Sequence, residues 1–287
     1  MFKRFKKEYI VLSILIIFVI GILFFYFKNN NTRELKIAFL DIGQGDSIYI
    51  EAPNGVQMLV DGGRGSKVLG ELSSLMPFGD RTIDLVLATH PDADHIGGLV
   101  NVFDYYEVET FIESGAKSKS KVFQNLEKKA DDENSKRILG RAGTKIILDE
   151  ERGIYFEILY PDVKDVLHWE TNDASIVGKL VYGNTSVMLT GDSPIEKELY
   201  LARKNPEILD VDILKLGHHG SRTSSSLGFL RATTPKLAIV SAGFKNPYGH
   251  PHKEVLDRLS ALRIPYLATY DKGTILCMSD AINIICK

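Results

Sequence analysis

The 287-residue sequence has no internal repeat and no low-complexity tract, so a fibrous array or a disordered chain is excluded. It also lacks an excess of basic residues. Lys and Arg number 35 against 37 Asp and Glu. Five of the basic residues and a single acid fall in residues 1–28, leaving 30 basic and 36 acidic residues in the remainder. A balance of about −6 is a poor electrostatic footprint for tight binding of long duplex nucleic acid, which usually needs a basic face. A local patch or bound cations could still supply positive charge. Cysteine is scarce: only Cys277 and Cys286 are present, too few for a disulfide framework. A single disulfide is permitted. A two-residue turn at Asp280–Ala281, however, would set Cys277 opposite Ile284, and two buried thiols are the simpler expectation. No linker splits residues 34–287, a length still within the reach of one domain.

Charge is absent altogether from Tyr9 to Phe27, a run of 19 residues. As a helix it would be roughly 28 Å long, close to the hydrocarbon thickness of a bilayer. A cleaved signal peptide would show a shorter apolar core and small residues before the cut. Here Phe24, Phe25, Tyr26 and Phe27 fill that place, so an uncleaved anchor is expected. Lys3, Arg4, Lys6 and Lys7 lie on one flank and only Lys28 on the other. The N-terminus is therefore expected in the cytoplasm, with the rest of the chain outside a single-pass cell-membrane anchor. The expected division is an anchor at 1–28, a polar linker at 29–33 and one domain at 34–287.

What the domain does have is strand-forming runs separated by turn signals: Leu35–Ile42, Ser47–Ala52 and Val56–Val60, with Gly43–Gly45 and Pro53–Gly55 between them. Ile83 to Ala88 is a continuous apolar run, as expected of a strand buried on both faces. Ile96–Phe103 is expected to be helical, and 116–141 an exposed, charged helix with loops. Further strands are expected at Ile154–Tyr160, Ser175–Val181, Thr185–Leu189, Val211–Leu216, Leu237–Ser241 and Tyr266–Thr269. Helices are expected at Ile195–Arg203 and His252–Leu262, and a hairpin at Thr274–Ile285. Strands interleaved with helices imply an α/β arrangement of sheets covered by helices.

The densest chemistry is His90-Pro91-Asp92-Ala93-Asp94-His95, four potential ligands in six residues directly after an apolar strand. A loop at the end of a buried strand is where α/β folds present their sites. A turn can aim His90, Asp92 and Asp94 at one point, whereas i and i+2 on a helix face different ways. A surface turn with a capping Asp would explain one acid and neither histidine. Thr190-Gly191-Asp192 and Gly217-His218-His219-Gly220-Ser221 are weaker alone, but each also ends an apolar strand. A site assembled at one edge of packed sheets requires that repeated placement.

These elements, together with Phe39-Leu40-Asp41-Ile42-Gly43-Gln44-Gly45-Asp46-Ser47, Leu59-Val60-Asp61-Gly62-Gly63, Arg222-Thr223-Ser224 and Asn246-Pro247-Tyr248-Gly249-His250-Pro251, resemble the metallo-β-lactamase fold superfamily. Within it they are most similar to the hydrolase domain of the ComEC competence proteins. The resemblance covers about residues 35–278. It implies a four-layer αββα sandwich, here preceded by one transmembrane helix, with two divalent metals at one edge of the sheets. Carried over residue by residue, His90 and Asp92 would bind one metal and Asp94 and His95 the other. Asp192 would bridge them and His219 would complete the second site. Whether His218 or His219 is the ligand stays open, with His219 preferred and the other left to touch substrate. Asp61 would orient a ligand from behind. Asp92 replaces the superfamily's usual second histidine, and Asn172 stands where a separate histidine precedes the bridging Asp; both also resemble the ComEC pattern. More oxygen in the first site makes manganese a rival to zinc.

Three carboxylates against two dications leave about +1, which suits an anionic phosphodiester clamped between metals ~3.5–4 Å apart. The metals would lower the pKa of a water and so supply the nucleophile. Asp94, Asp192 and His218 are the expected catalytic groups; His218, Ser221, Arg222, Asn246 and His250 are candidates to hold the phosphate. A phosphodiesterase or nuclease acting on a phosphodiester such as DNA is the leading expectation. The channel role of ComEC proteins is not carried over to a chain with one expected span. The rivals are hydrolysis of a small or cell-wall phosphate ester such as a phosphocholine ester, or of a lactam, and, in another class, a wall- or partner-binding module with an idle site.

Overall fold

The computed structural model describes residues 2–29, 34–133, 135–163 and 166–287, with side chains of the N-terminal helix described from Lys7 to Ile22. That helix, α1 (Phe2–Asn29), is followed by β1 (Leu35–Phe39), β2 (Ile48–Glu51), β3 (Gln57–Val60), α2 (Lys67–Leu75), β4 (Thr82–Ala88), α3 (Ala93–Tyr105), β5 (Glu107–Glu113), α4 (Lys121–Asp132) and β6 (Lys136–Leu139). A second series holds β7 (Lys145–Asp149), β8 (Ile154–Tyr160), β9 (Val177–Tyr182), β10 (Thr185–Leu189), α5 (Ile195–Lys204), β11 (Ile213–Lys215), α6 (Leu227–Thr233), β12 (Leu237–Val240), α7 (Lys253–Leu262), β13 (Tyr266–Ala268) and α8 (Thr269–Lys272). The chain then returns through β14 (Ile275–Ser279) and β15 (Ile284–Cys286).

Two sheets result, ordered β15-β14-β1-β2-β3-β4-β5-β6 and β13-β12-β11-β10-β9-β8-β7. Their facing sides enclose one core, from Ile37, Phe39 and Leu87 on the first sheet to Phe156, Leu180 and Ile239 on the second. A second core joins the outer face of the first sheet to α2, α3 and α4 through Val86, Leu99 and Leu126. A third joins the second sheet to α5, α6 and α7 through Leu214, Phe229 and Leu259. Three cores between four layers make an αββα sandwich. β4 shows why: Leu87 enters the inner core while its neighbours Val86 and Ala88 enter the outer one, so an unbroken apolar run is consumed on both faces.

Two local expectations are corrected. The terminal hairpin turns through Asp280–Asn283, four residues, with Ser279 paired to Ile284. Asp280 anchors the turn by accepting hydrogen bonds from the Ile282 and Asn283 amides. The longer loop shifts the register by two, Cys277 comes to face Cys286, and the two form a disulfide. The ligand-rich segment is not all turn either: Asp92 takes the N-cap position, and Asp94 and His95 lie in the first turn of α3.

Every described side chain of α1 is exposed. Among the described residues no helix is long and apolar enough to cross a membrane. Part of the expected span, residues 23–27, and the linker positions 30–33 lie outside the described side chains.

Candidate metal centre

β1, β3 and β4 run parallel to one another, as do β10, β11 and β12. The segments that follow their C-terminal ends meet at one rim of the sandwich. There the structure gathers His90, Asp92, Asp94 and His95 after β4, Asp192 after β10, and His218 and His219 after β11. Asp192 is central. Its Oδ1 lies 3.2 Å from His95 Nε2, and its Oδ2 lies 3.5 Å from His218 Nε2, 3.6 Å from His219 Nε2 and 4.0 Å from His90 Nε2. Asp92 Oδ2 stands 3.7 Å from His90 Nε2, and Asp94 Oδ2 stands 3.6 Å from His219 Nε2.

Hydrogen bonds behind the rings settle which nitrogen faces the centre. Asp61 Oδ2 accepts from both Thr89 Oγ1, at 2.7 Å, and His95 Nδ1, at 2.8 Å. The Thr89 hydroxyl has given its proton to Asp61, so it can only accept from His90 Nδ1, 3.0 Å away. His219 Nδ1 faces two acceptors, Asp46 Oδ1 at 3.1 Å and the Ser241 carbonyl at 3.0 Å. All three rings therefore use Nδ1 as a donor and point Nε2 toward Asp192, where it would offer a lone pair once its proton is displaced by a cation. Those Nε2 atoms, with Asp192 Oδ1, are buried and have no hydrogen-bond partner. Leaving buried polar atoms unpaired is costly, and a cation is the species that three imidazole lone pairs and a carboxylate satisfy together.

Asp46, His95, Asp192 and His219 offer donor atoms within 4.8 Å of one another. Asp46, however, pairs through Oδ2 with the buried Lys215 ammonium and through Oδ1 with His219 Nδ1. Its oxygens are occupied, so it supports His219 from behind, and Asp94 is the better placed carboxylate. Asp92 caps α3 without any side-chain cap hydrogen bond, which leaves its carboxylate available.

The electrostatics follow from burial and crowding. Burial pushes the Asp192 carboxyl up, but the imidazoles of His219, His95 and His90 outweigh it and hold it well below the usual range. Burial lowers His219, yet Asp192 and Asp46 raise it to about 9. His95 is likewise lowered by burial and raised well above its ordinary value by Asp192 and Asp61. Protons on such imidazoles are what a metal would displace.

The backbone is bent to meet these needs. Asp61, His218 and His219 have φ of 58°, 49° and 56°, a left-handed conformation that side chains other than Gly adopt at a cost of order 1–3 kcal/mol. Gly45 lets its loop close on α3: a Cβ there would lie 2.1 Å from the Asp94 carbonyl oxygen.

The expected phosphate-holding residues are less uniform. His218 is the more open of the paired histidines, its side chain 28% exposed against 1% for His219, and burial lowers its pKa. His250 stacks on Tyr248, with its ring centroid 5.6 Å from that of His218. Ser221 pairs its hydroxyl with Thr223. Asn246 is corrected from phosphate contact to loop organiser. Its amide donates to the Gly243 and His250 carbonyls and accepts from the Tyr248 and His250 amides, which uses all its capacity. Arg222 faces Glu254 at 3.8 Å and is largely exposed. Asn172 heads a short helical turn, and its Oδ1 is buried without a partner. Sequence reasoning missed Thr89, Asp46 and Lys215. The signal for Lys215 was a cation inside the apolar strand Ile213-Leu214-Lys215-Leu216.

Comparison with known proteins agrees with this geometry. Residues 40–243 match the model of the metallo-beta-lactamase superfamily. The chain is 33% identical over 263 residues to ComE operon protein 3 of Bacillus subtilis, covering 85% of this chain and 33% of that protein. It is 28% identical over 246 residues to competence protein ComA of Neisseria gonorrhoeae, covering 85% and 32%. It is 30% identical over 239 residues to recombination protein 2 of Haemophilus influenzae, covering 81% and 27%. The chain thus spans about a third of the length of these relatives. Among solved structures, CmlA, a diiron β-hydroxylase from Streptomyces venezuelae, superposes with a TM-score of 0.51 at 13% identity, covering 82% of this chain and 53% of that one.

Proposed function

Because the chain belongs to the metallo-beta-lactamase superfamily and is similar over most of its length to competence proteins, we propose that it is a hydrolase that uses two divalent metals to cleave a phosphodiester. The observation that carries this reading is the convergence of three buried, unpartnered Nε2 atoms on Asp192. His90 and Asp92 would hold one ion, Asp94, His95 and His219 the other, and Asp192 would lie between them. Zinc and manganese both suit this mixture of imidazole and carboxylate. Such a pair supplies, when bound, Lewis acidity toward a phosphoryl oxygen and a lowered pKa for water.

The chain's own residues do the rest. Asp61 and Thr89 keep His90 and His95 in the tautomer that presents Nε2. Asp46 and the Ser241 carbonyl do the same for His219. His218, held at Nδ1 by Thr223 Oγ1 3.2 Å away, has a ring 28% exposed whose Nε2 lies 3.5 Å from Asp192 Oδ2, and beside that carboxylate it would take a phosphate oxygen of the substrate. His250, its pKa lowered to about 4 by burial and by the neighbouring His219, His218 and His252, would stay neutral and close the same side.

A nucleic-acid strand is one substrate in this class, in keeping with the names of the competence relatives. A small or wall-bound phosphate ester is the second reading. It is favoured by the ion pair that partly neutralises Arg222 and by the acidic balance of residues 29–287. The uncharged run Tyr9–Phe27 supports anchoring in the cell membrane with the domain outside.

The test is to purify the full chain, determine bound metal, and assay bis-p-nitrophenyl phosphate, single-stranded DNA, a phosphocholine ester and a β-lactam. Two metals per chain and cleavage of the first two substrates are expected. A chain that takes up no divalent metal, or that opens only the lactam, overturns the reading.

A further inference from the structure

The pole of the sandwich opposite the metal centre has a pattern of its own. β1 and β4 run parallel and end at the centre, so both begin at the far pole. β4 alone spans seven residues, roughly 23 Å at the usual rise. The turn before β4 carries Phe78, which is fully exposed. The loop between β14 and β15 lies at the same pole, because Ser279 pairs with Leu35, and it carries Ile282, 70% exposed. Phe78 and Ile282 thus flank the start of β1. β14 and β4 are four strand positions apart, about 19 Å at ~4.8 Å per step.

The chain enters the domain between these two tips. From Asn29, the last residue of α1, to Glu34 there are five Cα steps, a reach of at most about 18 Å. Resting on the anchoring reading above, we propose that this pole sits on the lipid surface, with Phe78 and Ile282 inserted beside α1, so that the metal centre opens away from the membrane. Amphipathic or apolar tips of this kind bind by burial among headgroups and upper acyl chains. The exposed charges beside these tips, Glu34, Arg81, Glu150, Glu151, Arg152 and Asp280, are acidic on balance. Contact is therefore with a zwitterionic surface and should weaken as anionic lipid is added. The orientation puts the substrate on the side away from the bilayer and excludes the anchor's own lipids as substrate.

The experiment uses the full chain in phosphatidylcholine vesicles, in a Trp169→Phe background that removes the single tryptophan. Phe78→Trp, Ile282→Trp and, at the metal-centre pole, Phe244→Trp each place one indole at an exposed position, so folding is not at risk. Brominated phosphatidylcholine should quench the first two strongly and the third not at all. Quenching at 244, or at none of the three, overturns the orientation. Extraction of the vesicles with alkaline carbonate separates the premises: release of the chain overturns anchoring itself, and the orientation with it, whereas retained protein with the wrong quenching pattern overturns the orientation alone.

Discussion

Thr89 Oγ1 gives its proton to Asp61 Oδ2 across 2.7 Å while accepting from the ring of its own neighbour, His90, across 3.0 Å. A single carboxylate thereby orients two histidines, His95 directly and His90 through a hydroxyl. Thr89→Val keeps the shape and deletes the relay. It is expected to weaken metal binding about 10–100-fold, read by competition with a chromophoric chelator; unchanged affinity would show that His90 needs no such support.

Asp192→Ala removes the carboxylate that all the ligand rings face. Loss of hydrolysis and a drop in bound metal, by elemental analysis, are expected together. Full activity on an otherwise hydrolysed substrate would be incompatible with the mechanism.

The paired histidines should separate cleanly. His219→Ala is expected to lower the metal-to-protein ratio. His218→Ala should keep the ratio and lose turnover, because its ring is the one open to substrate. The opposite assignment of the two phenotypes would exchange their roles.

Lys215 is wholly buried against Asp46. Lys215→Met would strip the Asp46 carboxylate of its ammonium partner and leave it to His219 Nδ1, and breaking a buried pair on one side costs about 3–5 kcal/mol. Urea unfolding in the presence of a chelator isolates this from metal binding. A loss under about 1 kcal/mol would mean that Asp46 finds other partners.

Glu198 is buried beneath the His218–Ser226 segment and accepts hydrogen bonds from the Ser225 and Ser226 amides. Burial raises its pKa from 4.5 to about 7, despite those amides and Arg258. The folded state then holds a proton that the unfolded state has released between these values. Its contribution is complete below pH 4.5 and is lost as pH rises through 7, about 3 kcal/mol at most. Glu198→Gln should flatten that slope in metal-free protein; identical slopes for both proteins would place the proton elsewhere.

Much of this was legible in the chain itself. The candidate ligands stood out because two histidines and two aspartates crowd into six residues after an apolar strand. The alternation of Val86 and Leu87 between two cores was implied by an unbroken apolar run. Asn246 misled, since it is a plausible phosphate ligand by type. Nothing local reveals that Asn246 spends its amide on its own loop, or that Arg222 meets Glu254, 32 residues further along.

The sequence by itself determined the strand-and-helix alternation and the candidate ligand clusters at strand ends, because periodicity and side-chain chemistry are local properties; the αββα class and the ligand set came from the resemblance of its motifs to the metallo-β-lactamase superfamily. Only the tertiary structure decided which nitrogen each histidine presents, that Asp46 supports instead of ligating, and that Cys277 meets Cys286. Those outcomes depend on partners such as Asp46 and His219, 173 residues apart, or on a hairpin register two positions away from the shortest turn. Packing selects such pairings through long-range contacts that no window of sequence contains.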